Sequence, residues 1–406
     1  MADARSRPVV RLTPNARHRV LQGHPWVFSN EIASVDGHVE PGDIVEVRDR
    51  RDKFVGLGYM NPLSAITVRL LTRHDVEING AFIRERVRQA ILYRKSLYGE
   101  TGPLGQSPKG YRLVFSEGDF LPGLIVDCFG GYIVFQTLTL GIDRWKEDIV
   151  SALSEFAEPK GIYERNDAPV RELEGLKQTS GFVGQPFDPV VEMDENGVTV
   201  VVDVQKGQKT GYFLDQTDNR FAIRALCEGK TVLDAFSYSG GFGLSAALAG
   251  AEQVLCVDVS DAALDLARAA ATRNGLNGAM FFRVANVFDV LREFEAGNQQ
   301  FDVVMLDPPA FARSRKMLER ALAGYKEINL RAMKIVKDGG FLCTSSCSQH
   351  VTKEEFDEML EDAARDCRKT VRIVERRGQR ADHPVVLGVP ETEYLKFRVC
   401  QVFDFR

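Results

Sequence analysis

No stretch of this 406-residue chain is apolar for long enough to cross a bilayer, so a helical membrane protein is not expected. No C-x-x-C pair occurs, and the cysteine count of seven is odd, which argues against a zinc ribbon and against a disulfide framework. The thiols are expected to be free and mostly buried, with one at most reactive. The opening residues Met1–Arg19 carry arginine but no apolar h-region, so no secretory signal is expected and the cytoplasm is the expected compartment. A G-x-G-x-x-G dinucleotide fingerprint is missing, as are internal repeats and low-complexity tracts. A surplus of positive charge is missing too. The formal net charge is −5, so a polyanion partner would have to be met by local patches.

What is present fits a globular chain of two or three domains, 44% apolar and 27% charged. Residues 1–75 read as short strands and turns, a small β-barrel pattern, with 11 Lys/Arg against 9 Asp/Glu and four of the six histidines. Residues 76–98 read as one amphipathic helix, with Ile83, Val87 and Ile91 on one face. The Gly, Pro and Ser content of residues 99–110 predicts a loop. Strands at Tyr111–Phe115, Leu124–Val126 and Tyr132–Thr137, a helix at Ile142–Phe156 and a strand at Gly161–Arg165 suggest an α+β middle domain over 76–184. A hairpin at Val190–Val204 follows, and from about Asp215 strands and helices alternate. That alternation predicts a parallel sheet covered on both faces, within a third domain spanning 185–406. A second basic run, from Arg368 to Arg380, is an ordinary solvated face or a patch for a polyanion.

The chain is organised around Val232–Gly243. Asp234 closes a strand, and Ser239, Gly240, Gly241 and Gly243 open the next helix, where glycines would let a ligand approach backbone N–H groups. Asp258 ends the following strand and can accept both hydroxyls of a ribose. Asn286 ends the next, where it either touches an adenine or caps a helix. Asp307-Pro308-Pro309-Ala310-Phe311 follows the fourth strand. Two prolines stiffen this turn and leave carbonyls and an aromatic facing the crevice, able to clamp the edge of a planar base. Cys347, in Thr344-Ser345-Ser346-Cys347-Ser348, ends the strand after that. A thiolate there suits pyrimidine C5 chemistry, because its addition to C6 makes C5 nucleophilic.

At these residues the chain resembles the S-adenosylmethionine-dependent 23S rRNA cytosine-C5 methyltransferases of the RlmI type. The resemblance covers nearly the whole length. It rests on Lys209-Thr210-Gly211-Tyr212-Phe213-Leu214-Asp215-Gln216 with Asn219-Arg220, on Phe236–Phe242, Asp307-Pro308-Pro309, Gly324-Tyr325-Lys326 with Ile328-Asn329, Ser346-Cys347-Ser348 and Ala381-Asp382-His383-Pro384. It implies an α/β fold: a Rossmann-like class I methyltransferase domain preceded by a PUA-like RNA-binding module and the α+β middle domain.

The resemblance further implies S-adenosylmethionine as cofactor and RNA, either 23S rRNA or the large ribosomal subunit, as partner. It allows a homodimer, which nothing in the residues themselves requires. Cys347 would be the nucleophile, and Asp307 would bond the cytosine edge and bridge it to the cofactor. Lys209, Thr210, Gly211 and Phe213 would close over the cofactor. Phe236, Ser237, Tyr238, Ser239, Gly240 and Gly241 would lie along its methionine moiety, Asp258 and Val259 at the ribose, and Asn286 and Val287 at the adenine. Ala310 stands where better-known cytosine-C5 enzymes carry a second cysteine, so product release must rest on another group. Asp382 and His383 are candidates for the C5 base, or form a structural turn. Three other readings stay open: methylation of a purine nitrogen, a non-enzymatic RNA-binding factor, and a nicotinamide dehydrogenase.

Overall fold

Apolar residues alternate with polar ones over the first seventy positions, and they build a sheet that hides one face. The computed structural model describes residues 7–14, 19–98, 108–312 and 315–404, so residues 99–107 of the expected loop lie outside the described residues. The described chain divides into two compact units. One comprises residues 1–189, 208–210 and 381–392; the other comprises 190–207, 211–380 and 393–406.

In the first unit, β1 (Val9–Leu12), β2 (Trp26–Phe28), β3 (Ile32–Asp36), β4 (Ile44–Arg48), β5 (Phe54–Met60) and β6 (Ile66–Thr72) form a six-stranded sheet in the order β2-β6-β5-β4-β1-β3. Its core is Val10, Leu12, Val27, Val45, Val47, Val68 and Leu70. Helix α1 (Gly80–Leu97) starts later than the periodicity predicts, because the Asn79 side chain accepts from the backbone N–H of Phe82 and caps it there. Ile83, Val87 and Ile91 are buried as the i, i+4, i+8 spacing requires. They pack with Leu113, Val126, Phe135 and Ile149. The sheet on that core runs β11-β10-β9-β8-β7, from β7 (Gly110–Phe115), β8 (Leu124–Phe129), β9 (Tyr132–Thr137), β10 (Gly161–Asn166) and β11 (Thr179–Val183). The single helix expected at Ile142–Phe156 is two, α2 (Leu140–Asp143) and α3 (Lys146–Ala157), and a short α4 (Val170–Leu173) precedes β11.

The second unit opens with the hairpin of β12 (Val190–Glu195) and β13 (Val198–Asp203), followed by α5 (Thr217–Ala222). Five parallel strands then alternate with helices: β14 (Thr231–Ala235), α6 (Gly241–Leu248), β15 (Gln253–Asp258), α7 (Asp261–Arg273), β16 (Met280–Val284), α8 (Val287–Ala296), β17 (Phe301–Leu306), α9 (Leu318–Ile335), β18 (Val336–Ser346) and α10 (Lys353–Asp366). Two antiparallel strands, β19 (Lys369–Arg377) and β20 (Lys396–Asp404), complete a seven-stranded sheet in the order β16-β15-β14-β17-β18-β20-β19. The order reverses on either side of β14, and such a switch point opens a crevice at the strands' carboxyl ends. Residues 368–380 of the basic run have a definite place in this sheet. They are largely the edge strand β19, and four of the six cations are ion-paired: Lys369 to Asp404, Arg376 to Asp357, Arg377 to Glu375 and Arg380 to Asp218.

Candidate active site

The carboxyl end of β14 passes into a loop that α6 needs in order to start. Three residues in it have positive φ, Phe236 at 61°, Tyr238 at 49° and Gly240 at 75°, and a non-glycine residue adopts such a conformation only where its surroundings hold it. The holding bonds run from Ser237 N–H to the Val257 carbonyl, 3.0 Å, from Gly240 N–H to the Ser237 carbonyl, 2.8 Å, and from Tyr238 N–H to Asp258 Oδ2, 2.8 Å. The glycines serve packing first. A Cβ on Gly243 would lie 2.5 Å from Cys256 Sγ and 3.1 Å from Asp234 Oδ2, and one on Gly241 would strike the Tyr212 hydroxyl. At 241 and 243 this packing demand stands beside the expected access of a ligand to backbone N–H groups. Their missing side chains admit protein atoms, which lets α6 sit close against the sheet.

Asp234 is fully buried, and its Oδ2 accepts from Gly243 N–H at 2.8 Å. Burial, with the carboxylates of Asp307 and Asp258 nearby, pushes its pKa up to about 7. Its Oδ1 and the hydroxyls of Ser237 and Ser239 are buried with no hydrogen-bond partner among the described residues. Orphaned buried polar atoms are costly unless a ligand or water satisfies them. All three lie on β14 or in the loop that follows it. Asp258 is half-buried; its Oδ1 accepts from Ser260 N–H at 2.9 Å and each oxygen keeps lone pairs for a diol. Val259 beside it is 68% exposed.

Two of the expected adenine contacts do other work. Asn286 Oδ1 accepts from Phe288 N–H at 2.9 Å and caps α8, and the Val287 side chain is core, packed with Val290 and Leu291. The Phe236, Phe288 and Phe311 rings succeed one another at 6.3 and 6.1 Å, partly buried against that core. In the segment before the sheet, the Tyr238 hydroxyl donates to the Gly211 carbonyl at 3.0 Å and the Phe213 ring meets Tyr238 edge-on at 5.4 Å. Lys209 and Thr210 group with the first unit, where the buried Thr210 hydroxyl donates to Asp127 Oδ2 at 2.6 Å. The Thr210 side chain is thereby occupied by a carboxylate rather than offered to a ligand.

The tips of β17 and β18 bring Asp307 and Cys347 together. Cys347 is half-buried, with its Sγ 4.0 Å from the Pro308 carbonyl oxygen. Of the other cysteines Cys128, Cys227, Cys256, Cys343 and Cys400 are buried, and Cys367 is half-buried. Asp307 Oδ1 accepts from Gln216 Nε2 at 2.8 Å and from the Ser345 hydroxyl, while Gln216 Oε1 accepts from Asn219 Nδ2 at 2.6 Å. This relay makes sense of the Gln216 and Asn219 positions, to which sequence reasoning assigned no role. Burial raises the Asp307 pKa above the ordinary carboxylate value. Nearby, Arg220 pairs with Glu195 of β12 at 2.6 Å and stacks over Tyr212. Asp382 and His383 lie in the first unit, buried. Asp382 Oδ2 accepts from Arg112 N–H at 3.0 Å and its Oδ1 meets His383 Nδ1 at 2.7 Å, as a structural turn would.

Residues 10–73 match the family model of a PUA-like domain, and residues 178–398, over half of the chain, match that of an S-adenosylmethionine-dependent methyltransferase. Proteins named ribosomal RNA large subunit methyltransferase I are 39% identical over 387 residues in Escherichia coli O139:H28 and in Shigella boydii serotype 18, covering 94% of this chain and 96% of theirs. The chain belongs to the ribosomal RNA large subunit methyltransferase I family. A solved structure of SMU.776, a putative methyltransferase complexed with S-adenosylhomocysteine, shares the fold, with a TM-score of 0.82 over 97% of this chain and 99% of that one at 22% identity. For this member of the methyltransferase I family, S-adenosylmethionine is the cofactor. The orphaned Asp234, Ser237 and Ser239 atoms and the Asp258 carboxylate fit its polar ends. The missing dinucleotide fingerprint fits too, and a nicotinamide reading has no support.

Proposed function

We propose that this protein methylates C5 of a cytosine in large-subunit ribosomal RNA, through a transient bond from Cys347 to C6 of the base. One observation carries the reading: a half-exposed sulfur at the tip of β18 stands 4.0 Å from the first proline carbonyl of Asp307-Pro308-Pro309 at the tip of β17. S-adenosylmethionine, when bound, supplies an electrophilic methyl group. Cys347 as thiolate adds to C6, and the electron pair moves toward C5 and the N3 edge. Asp307, whose burial favours the protonated form, donates to that edge as charge builds. C5 would take the methyl group as its bond to the sulfonium breaks and the neutral thioether departs; a base then removes the C5 proton, the ring double bond re-forms and the thiolate leaves.

Asp258 and Val259 hold the ribose in this reading, with Ser237, Tyr238, Ser239 and Asp234 along the methionine end. The adenine falls to Val259 and the Phe288 ring, since Asn286 caps a helix and Val287 is core. The target base leaves its stack to reach the sulfur. The PUA-like domain, residues 1–75, and the region 76–184 grip the RNA backbone, in the cytoplasm where ribosomes assemble.

Cys347→Ala tests the mechanism. Methyl transfer to ribosomal RNA is expected to fall by at least about a thousandfold while S-adenosylmethionine still binds. Undiminished 5-methylcytosine, read by nucleoside mass spectrometry, would remove the covalent step, and methyl found on a purine nitrogen would replace the substrate assignment.

A further inference from the structure

Next to the sulfur lies a cation that no motif announces. Lys396 begins β20 and is the cross-strand partner of Ser346, the residue before Cys347. Its side chain is buried, and its Nζ donates to the carbonyl of Ser348, the residue after Cys347, at 2.6 Å and to that of Tyr394 at 2.8 Å. Both bonds go to neutral carbonyls, and among the described residues it has no ion-pair partner. The acidic groups facing it are committed elsewhere. Glu355 caps α10 through Thr352 N–H, and Glu393 pairs with Lys353. Arg398, the next inward-facing cation on β20, pairs with Asp357. From α9, the Tyr325 hydroxyl meets Ser348 Oγ at 2.8 Å.

An ammonium buried without a counter-ion is expensive, and a negative charge arising beside it offsets that cost. The group next to it that can become negative is the Cys347 thiol, whose charge acts on Lys396. We infer that Lys396 is the positioning cation of this site: it pins the Ser346–Ser348 turn from both sides and holds Cys347 as the thiolate. This rests on Cys347 being the reactive sulfur. Burial lowers the Lys396 pKa, the charge of an ionised Cys347 opposes that, and the balance lies at about 8, so sulfur and ammonium charge as a pair.

The test reads the thiol itself rather than methyl transfer. Iodoacetamide alkylation of Cys347 in the full-length protein, followed by peptide mass spectrometry from pH 6 to 10, reports the thiolate fraction. The wild-type midpoint is expected below the ordinary cysteine value of about 8.5. Lys396→Gln keeps a donor for the Ser348 carbonyl but no charge. Its midpoint is expected to rise by about one unit, which is about tenfold slower alkylation well below the midpoint, with the rate at pH 10 unchanged. Lys396→Arg is expected to restore most of the shift. An unmoved midpoint in a folded Lys396→Gln variant would reduce Lys396 to a structural tether and overturn the inference. If that variant does not fold, a wild-type midpoint at or above about 8.5 overturns it equally. Methyl transfer surviving in Cys347→Ala while these midpoints move as expected would overturn the proposed reaction and leave the Lys396–Cys347 pair standing.

Discussion

Asp234 shows at the scale of one residue how a buried carboxyl costs stability. Its carboxyl titrates at about 7 in the fold against an ordinary 3.8, so the folded chain keeps a proton that the unfolded chain has already lost. Stability from this group is therefore full below about pH 4 and declines as the pH rises toward 7. Asp234→Asn, which can still accept from Gly243 N–H, is expected to raise Tm by roughly 3–8 °C at pH 8, with a smaller gain at pH 5. A gain that does not shrink on acidification would contradict this cause. S-adenosylmethionine affinity is expected to fall, since one of the buried acceptors becomes a donor. The place of Asp258 at the end of β15 was legible in the sequence, because strand ends follow from the alternation of apolar runs and turn residues. Lys396 was not. Its importance comes from cross-strand pairing with a residue 50 positions earlier, and no local pattern records that pairing.

At the scale of elements, the β14-to-α6 connection is held by packing as much as by chemistry. Gly243→Ala would drive a methyl group into Cys256 and Asp234, both at the sheet. A loss of about 1–3 kcal/mol in urea unfolding is expected, along with weakened cofactor binding as α6 is displaced. Asn286→Ala separates the two roles the sequence left open. As a cap its removal costs about 1 kcal/mol, while S-adenosylmethionine affinity stays within about twofold. A tenfold loss of affinity with unchanged stability would return Asn286 to the adenine. The parallel strands were readable from apolar runs bounded by turn residues. β19 escaped because it is an edge strand, exposed at Arg372, Val374, Glu375 and Arg376, and there charge masks the period of two. β20 escaped because it follows a long irregular stretch and departs from the βα alternation.

For the whole molecule, the two compact units are not consecutive halves. Residues 208–210 and 381–392 group with the first unit although the chain on both sides of each belongs to the second. A linear reading placed one boundary near residue 184 and let the last domain run unbroken. The exceptions are tied in by long-range bonds, Thr210 to Asp127 for one, and Arg112 and Arg94 to Asp382 with Arg19 and His24 to Glu391 for the other, that leave no trace in composition. A chain ended after residue 380 would lack β20, which lies between β18 and β19. Such a truncation is expected to lose cooperative unfolding of the second unit and detectable S-adenosylmethionine binding in calorimetry; retention of either would mean the parallel strands suffice.

That placement of β20 also sets an order of events during translation. β19 leaves the ribosome first, yet its only neighbour in the sheet is a strand made later. It must wait, unpaired, until residues 396–404 emerge. The same late strand carries the lysine that we assign to the sulfur. If Cys347 is the nucleophile, as proposed, a nascent chain would lack the cation assigned to that sulfur until synthesis is nearly complete.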